Sequence, residues 1–172
     1  SSSSAISAIS SIAWLTTLMG GSMVLFWQWR SHWAGQEMQH GTNVTATGQW
    51  APNKEAWTKL ASQFAQHGKW LLEHPPMQPD VALVQSSEAA WAFSIDPIDD
   101  NMRYDVRWRD DYHLPLCRSH IWRNVINDRV DFSPYKVILL PPMPVIEEDT
   151  RRRLRAWVEA GGQLVLGPLV GY

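Results

Sequence analysis

Apolar residues recur every three or four positions from Ile6 through Ile9, Ile12 and Leu15 to Met19, which predicts one apolar helix face ending at Gly20-Gly21. The run Met23-Val24-Leu25-Phe26-Trp27 predicts a buried strand, since it is short, apolar and bounded by glycine. Polarity then rises abruptly through Gln28, Arg30, Ser31, His32, Gly35, Gln36, Glu37 and His40, a loop lasting to about Trp50. A buried strand that opens into aromatic, acidic and imidazole groups is how α/β enzymes present a site at a strand's carboxyl end. Asn53 is placed to N-cap a second helix, whose face is Trp57, Leu60, Ala61, Phe64, Gly68 and Leu71 and which runs to about Glu73. Pro75-Pro76 and Pro79 then impose extended geometry, and a domain boundary is placed between residues 76 and 77.

Beyond it, Val81–Val84 reads as a strand, Ser86 to Met102 as a loop with at most a helical turn near Glu88–Trp91, and Asp99-Asp100-Asn101 as turn chemistry. A helical spacing runs from about Tyr112 through Leu114, Cys117, Ile121 and Val125. Val130–Phe132 is a weak strand and Val137–Leu140 a strong one, ended by Pro141-Pro142. Glu147-Glu148-Asp149 opens a helix with acids, as the helix dipole favours, and Leu154, Trp157 and Val158 give its buried face. Gly161-Gly162 caps it, and Gln163–Leu166 is a further strand. Strands alternating with helices predict an α/β fold with a parallel sheet, and the absence of a covering helix after the last strand suggests an incomplete domain. Ser1–Ser4 reads as a frayed start.

Composition narrows the functional classes. A net charge of −2 over 172 residues leaves no basic footprint for nucleic acid. The lone Cys117 excludes an internal disulfide and a multi-cysteine metal site. Ala5 to Trp29 carries no charge, a length that could span a membrane, but Ser7, Ser10, Ser11, Thr16, Thr17 and the glycine break argue against it. No basic segment of a signal peptide precedes the apolar part. Asn43-Val44-Thr45 matches the glycosylation triplet, a pattern that arises often by chance. Eleven tryptophans are chiefly core material, with room for a few sugar-stacking platforms among them.

Glu37 and His40, three residues apart, would share the face of a helical turn. That spacing admits a two-ligand metal site, with His32 or Glu55 as a third ligand, or a solvated loop, or a site for hydroxyl groups. Trp27 stands ten residues before Glu37 and is either core or a platform, whereas Trp29 is expected to serve packing and Arg30 to pair with a buried carboxylate. Cys117 with His113 and His120 could suggest a nucleophile and its base, but within a helical spacing Cys117 reads as a small buried hydrophobe. Glu147–Arg155 reads as a solvated helix face or part of a subunit contact.

Several of these residues together resemble one family. FWQWR, a glycine-containing loop, then E-x-x-H-G and HGTNVTATGQ resemble the last barrel strand and following loop of glycoside hydrolase family 42, the bacterial β-galactosidases. Tyr135–Leu140 and EEDTRRRLRAWVEAGGQLVLGPLVGY are similar to that family's trimerisation domain. The resemblance implies that residues 1–76 are the C-terminal part of a (β/α)8 TIM-barrel catalytic domain. It implies that residues 77–172 are a truncated trimerisation domain of flavodoxin-like, class I glutamine amidotransferase-like fold. It further implies a retaining enzyme that removes terminal β-D-galactose, acts as a cytoplasmic bacterial homotrimer, and uses no cofactor, metal, membrane or nucleic acid.

By the same resemblance, Trp27 packs on the galactose ring while Glu37 and His40 hold its hydroxyls. A retaining glycosidase also needs two carboxyl groups roughly 5 Å apart. In the family these are glutamates on earlier barrel strands, whereas residues 1–22 contain no acid. The chain by itself is therefore expected to be inactive, and no residue here is assigned as catalytic. The alternative from another class is a non-catalytic oligomerisation or sugar-binding module.

Overall fold

The computed structural model describes residues 2–99 and 102–171 and divides the chain into two compact units, Ser1–Met77 and Gln78–Tyr172. The first unit holds two helices, α1 (Ser2–Leu18) and α2 (Lys54–Glu73), joined by a long connection with one 3-10 turn at Gln36–Gln39. Ser2–Ser4 thus belong to α1 rather than to a frayed start. At its end the Gly21 N–H reaches Thr16 O and the Gly20 N–H reaches Thr17 O, the paired bonds of a Schellman cap. Lys54 begins α2 as the spacing requires, but Asn53 caps it by position only, since its side chain makes no capping bond and its buried Oδ1 has no partner among the described residues.

The helices do not meet as the spacing predicts. Ala13 is buried and Trp14 stacks on Phe64 with ring centroids 4.8 Å apart, while Ile12, Leu15 and Met19 lie exposed. Helix α1 is apolar on more than one side, and α2 can cover only one of them. The expected strand Met23–Trp27 does not form. A ladder needs a neighbouring strand to take the N–H and C=O groups; the described part of this unit offers only the isolated bridges Arg30–Val44 and Val44–Trp50. Side chains nevertheless alternate. Phe26 meets Trp57 edge-to-face at 4.5 Å, whereas Leu25 and Trp27 face outward. An apolar cleft of about 410 Å3 lies between α1, residues 20–26 and the α2 face, and Trp57, Leu60, Ala61, Phe64, Gly68 and Leu71 all line it.

The second unit is a parallel sheet of β1 (Val81–Val84), β2 (Arg123–Ile126), β3 (Val137–Leu140) and β4 (Gln163–Leu166) in the order β2-β1-β3-β4. Val81 pairs with Arg123 on one side and Val137 on the other, and Val137 with Gln163 beyond. Central β1 is the most hidden, with Ala82, Leu83 and Val84 fully buried. Phe93, Tyr104, Ile126, Phe132, Ile138 and Leu140 share its core. The edge strand β4 is largely exposed, so burial on both faces holds for the inner strands only.

Four elements differ from expectation. Residues 87–95 form a full helix, α3 (Ser87–Ile95), because Ser86 accepts from the Ala89 N–H and so caps it. The next helix starts earlier and ends earlier than its spacing suggested. It runs through α4 (Tyr104–Arg107), a π-helical turn (Trp108–His113) and α5 (Leu114–Arg118). The wide turn ends two residues before Pro115, which cannot donate to residue 111 and whose ring crowds that carbonyl. Val125 is not on that helix but in β2, where Arg123 and Asn124 break the apolar pattern. Val130–Phe132 is loop rather than strand: the Asn127 and Asp131 side chains accept the Arg129 and Ser133 N–H groups in tight local turns, and Phe132 tucks beneath Arg153. Asp100-Asn101 of the expected turn lies outside the described residues.

Helix α6 (Glu148–Glu159) follows, with Glu147 at its N-cap position. Leu154 and Trp157 pack on the core as expected, but Val158 stays 41% exposed.

Candidate functional site

The connection after Trp27 folds back on itself through a few specific bonds. Gln28 N–H donates to Gly41 O at 3.3 Å, Val44 N–H to Trp29 O at 2.8 Å and Ser31 N–H to Val44 O at 3.0 Å. The Thr42 hydroxyl donates to Trp29 O at 3.0 Å. Arg30 donates to the Ala46 carbonyl at 2.8 Å, so it clamps backbone rather than pairing with a buried carboxylate. Trp29 meets Trp50 edge-to-face, a packing role although both rings are exposed. Gly35 enters the 3-10 turn at φ 89°, where a side chain would be strained.

This fold-back joins the three residues singled out in the sequence. The Trp27 indole Nε1 donates to Glu37 Oε2 at 3.1 Å, and His40 Nδ1 pairs with the same oxygen. The His40 N–H also donates to Glu37 O across the turn, so the i, i+3 face forms as its spacing required. The site is open: Trp27 is 71% exposed, and the Glu37 and His40 side chains are about half exposed. Its one residue not anticipated is Gln28, whose amide donates to Glu37 O at 3.2 Å and fixes the turn against the strand-like segment. The signal was present as a lone amide inside the run FWQWR.

An open cluster of one indole face, one carboxylate and one imidazole suits a neutral, hydroxyl-rich ligand. The carboxylate accepts from adjacent hydroxyls, the imidazole donates or accepts, and the indole covers an apolar face. Among the described residues no three His, Cys, Asp or Glu side chains gather as a metal ion would require. The other candidate, Cys117, is half-buried in α5 and receives Arg123 Nη2 at 2.5 Å, while the same guanidinium lies 3.1 Å from His113 Nε2. Burial lowers the His113 pKa, and the Arg123 charge lowers it further. His113 stacks on Trp108, and these contacts account for the group as packing.

Solved β-galactosidases share the fold of this chain. The structure from the psychrophilic Marinomonas ef1 superposes with a TM-score of 0.76, at 21% identity, over 94% of this chain and 25% of that one. A family 42 β-galactosidase from G. stearothermophilus superposes with a TM-score of 0.73, at 23% identity, over 92% of this chain and 23% of that one. The sequence profile of the β-galactosidase trimerisation domain matches residues 79–172, and the chain belongs to glycoside hydrolase family 42. Curated relatives include the β-galactosidases BbgII of Bifidobacterium bifidum, 27% identical over 85% of this chain, and YesZ of Bacillus subtilis, 25% identical over 89%. The chain spans only 21% and 23% of the length of these two proteins. No described helix is long and apolar enough to cross a membrane.

Proposed function

We propose that this chain is part of a retaining β-galactosidase that removes terminal non-reducing β-D-galactose. In this reading residues 1–76 close its (β/α)8 barrel and residues 77–172 belong to its trimerisation domain. The observation that carries it is the convergence of Trp27 and His40 on one oxygen of Glu37. In that reading Glu37 and His40 take galactose hydroxyls and Trp27 covers the apolar ring face. The two catalytic carboxyl groups, roughly 5 Å apart, come from the longer parent.

Two further features support it. The order β2-β1-β3-β4 is that of the first four strands of a flavodoxin-like sheet. In the first unit Ile12, Leu15, Leu18, Met23 and Leu25 are each exposed, apolar area that neighbouring barrel units of a parent would cover. A homotrimer held through residues 77–172, in the bacterial cytoplasm, completes the reading and rests on the family likeness.

The test is Glu37→Gln in the full-length parent. It keeps shape and makes charge-assisted bonds neutral, a loss of roughly 1–2 kcal/mol, or about five- to thirtyfold in kcat/KM. An unchanged kcat/KM would remove Glu37 from the site. Abolished activity that azide restores with an inverted product would make Glu37 the nucleophile and overturn the assignment.

A further inference from the structure

Outside the Trp27 site, one pocket combines pinned aromatic walls with uncommitted polar groups. It lies in the second unit at the carboxyl end of β1, has a volume of about 180 Å3, and is lined chiefly by Gln85, Ser87, Trp91, Tyr104, Asp105 and Trp108. In open α/β sheets ligands bind outside the carboxyl ends of the strands, where the strand order reverses. Strand β1 is that place here, since β2 lies on one side of it and β3 on the other.

The walls are held independently of any ligand. Trp108 Nε1 donates to Val84 O at 2.8 Å and its ring stacks on His113. Tyr104 is buried, and its hydroxyl accepts the Ser86 N–H at 3.2 Å. Burial raises the Tyr104 pKa, against the Ser86 bond, so the hydroxyl keeps a proton to donate. Trp91 is the opposite case: the residue is 63% exposed, the fifth of the capped helix α3, and its ring has no partner among the described residues. The Gln85 amide and the Ser87 hydroxyl likewise make no side-chain bond among them, while Asp105 offers a carboxylate held by Arg103 at 2.9 Å.

We propose that this pocket is a second, non-catalytic site for a single hexopyranose unit. Among the described lining residues the one charged group is the Asp105 carboxylate, with Arg103 behind it, which disfavours phosphorylated or acidic ligands. Its polar groups both donate and accept, as a ring of hydroxyls requires, and an open indole supplies a stacking face. Its volume is below the roughly 300–1,000 Å3 of common ligand pockets, so it holds one sugar ring rather than a chain. The site shares no residue with the Trp27 cluster and would let a β-galactosidase hold a second part of a branched or polymeric galactoside.

The test is a titration of the 172-residue chain with methyl β-D-galactopyranoside, read from assigned indole N–H resonances, with glycerol as the control polyol. Trp91 and Trp108 signals are expected to move saturably, in the Glu37→Gln variant as well. Trp91→Ala should abolish the Trp108 response, and Asp105→Asn should weaken it about fivefold as a charge-assisted bond becomes neutral. The proposal is overturned if only Trp27 responds, if nothing responds, or if glycerol moves the same signals equally. A response at Trp91 without one at Trp27 would leave this site standing and sink the assignment of Trp27, Glu37 and His40.

Discussion

Trp27 holds Glu37 across ten residues of chain: the indole N–H donates to Oε2 at 3.1 Å while His40 engages the same oxygen. The carboxylate is thereby oriented before any ligand arrives. Trp27→Phe in the full-length parent keeps an aromatic face but deletes that bond. Because Trp27 is largely exposed and the Glu37 side chain about half exposed, the loss should sit near 1 kcal/mol, about fivefold in kcat/KM. Trp27→Ala, which removes the face as well, should cost clearly more. Steady-state kinetics of the pair would separate orientation from stacking: equal losses would argue that the stacking face contributes nothing, and an unchanged Trp27→Phe variant that the indole bond contributes nothing.

Arg153 ties α6 to the loop beneath it. It donates to Val130 O at 2.8 Å and Asp128 O at 2.6 Å, and its guanidinium covers the Phe132 ring at 4.8 Å. Arg153→Met should strand two carbonyls and lower stability by about 2 kcal/mol, a Tm fall of about 10 °C in a domain of this size. Thermal unfolding of the second unit checks it. Arg152→Met, which removes only an exposed contact with Asp149, should change Tm little.

Gly161 and Gly162 end α6 with the same paired bonds that end α1, to Val158 O and Trp157 O. Gly161 holds φ 105°, and a Cβ on Gly162 would lie 2.4 Å from the Trp157 ring. Trp157 cannot easily yield, because its Nε1 donates to Tyr135 O at 3.2 Å. Gly162→Ala should therefore destabilise by about 1–3 kcal/mol through overpacking. Denaturant titration with an unchanged midpoint would refute the close approach.

His113 gives the second unit a pH dependence. Burial and then Arg123 hold its folded pKa below the ordinary 6.5. The unfolded chain thus binds the proton more readily, so this contribution is fully present above about pH 6.5 and is lost as pH falls through the depressed folded value. His113→Gln should flatten the stability profile on the acid side of 6.5. Asp149, lowered by Arg152 and Arg153, loses its contribution only below the ordinary carboxylate range and should leave the window near pH 6 untouched.

The sequence was most legible where one residue type dictates one geometry. The bounds of β1, β3 and β4 followed from apolar runs cut by prolines or glycines, and the end of α6 from Gly161-Gly162. The Glu37–His40 face followed from spacing alone. Reading failed where two short-range signals competed. Val125 fits a helical spacing and a strand equally well, and the strand prevails because β1 offers it a partner. Helix α3 was hidden because Ser86-Ser87 reads as loop unless the Ala89 N–H is recognised as its target. The run at Met23–Trp27 carries every local mark of a strand, yet pairing is a property of neighbours and is not written in the run itself.

The sheet order also sets a sequence of events in time. Strands β3 and β4 pair across one short helical crossover, Val137 with Gln163, and can find each other while the rest of the unit is still disordered. Strand β1 must wait for partners that lie more than forty residues further along the chain, Arg123 and Val137, so its pairings carry the larger loop-closure cost. The most buried strand is therefore expected to join last. Amide exchange pulsed during refolding should protect Ile138 and Val165, whose N–H groups lie between β3 and β4, before Leu83.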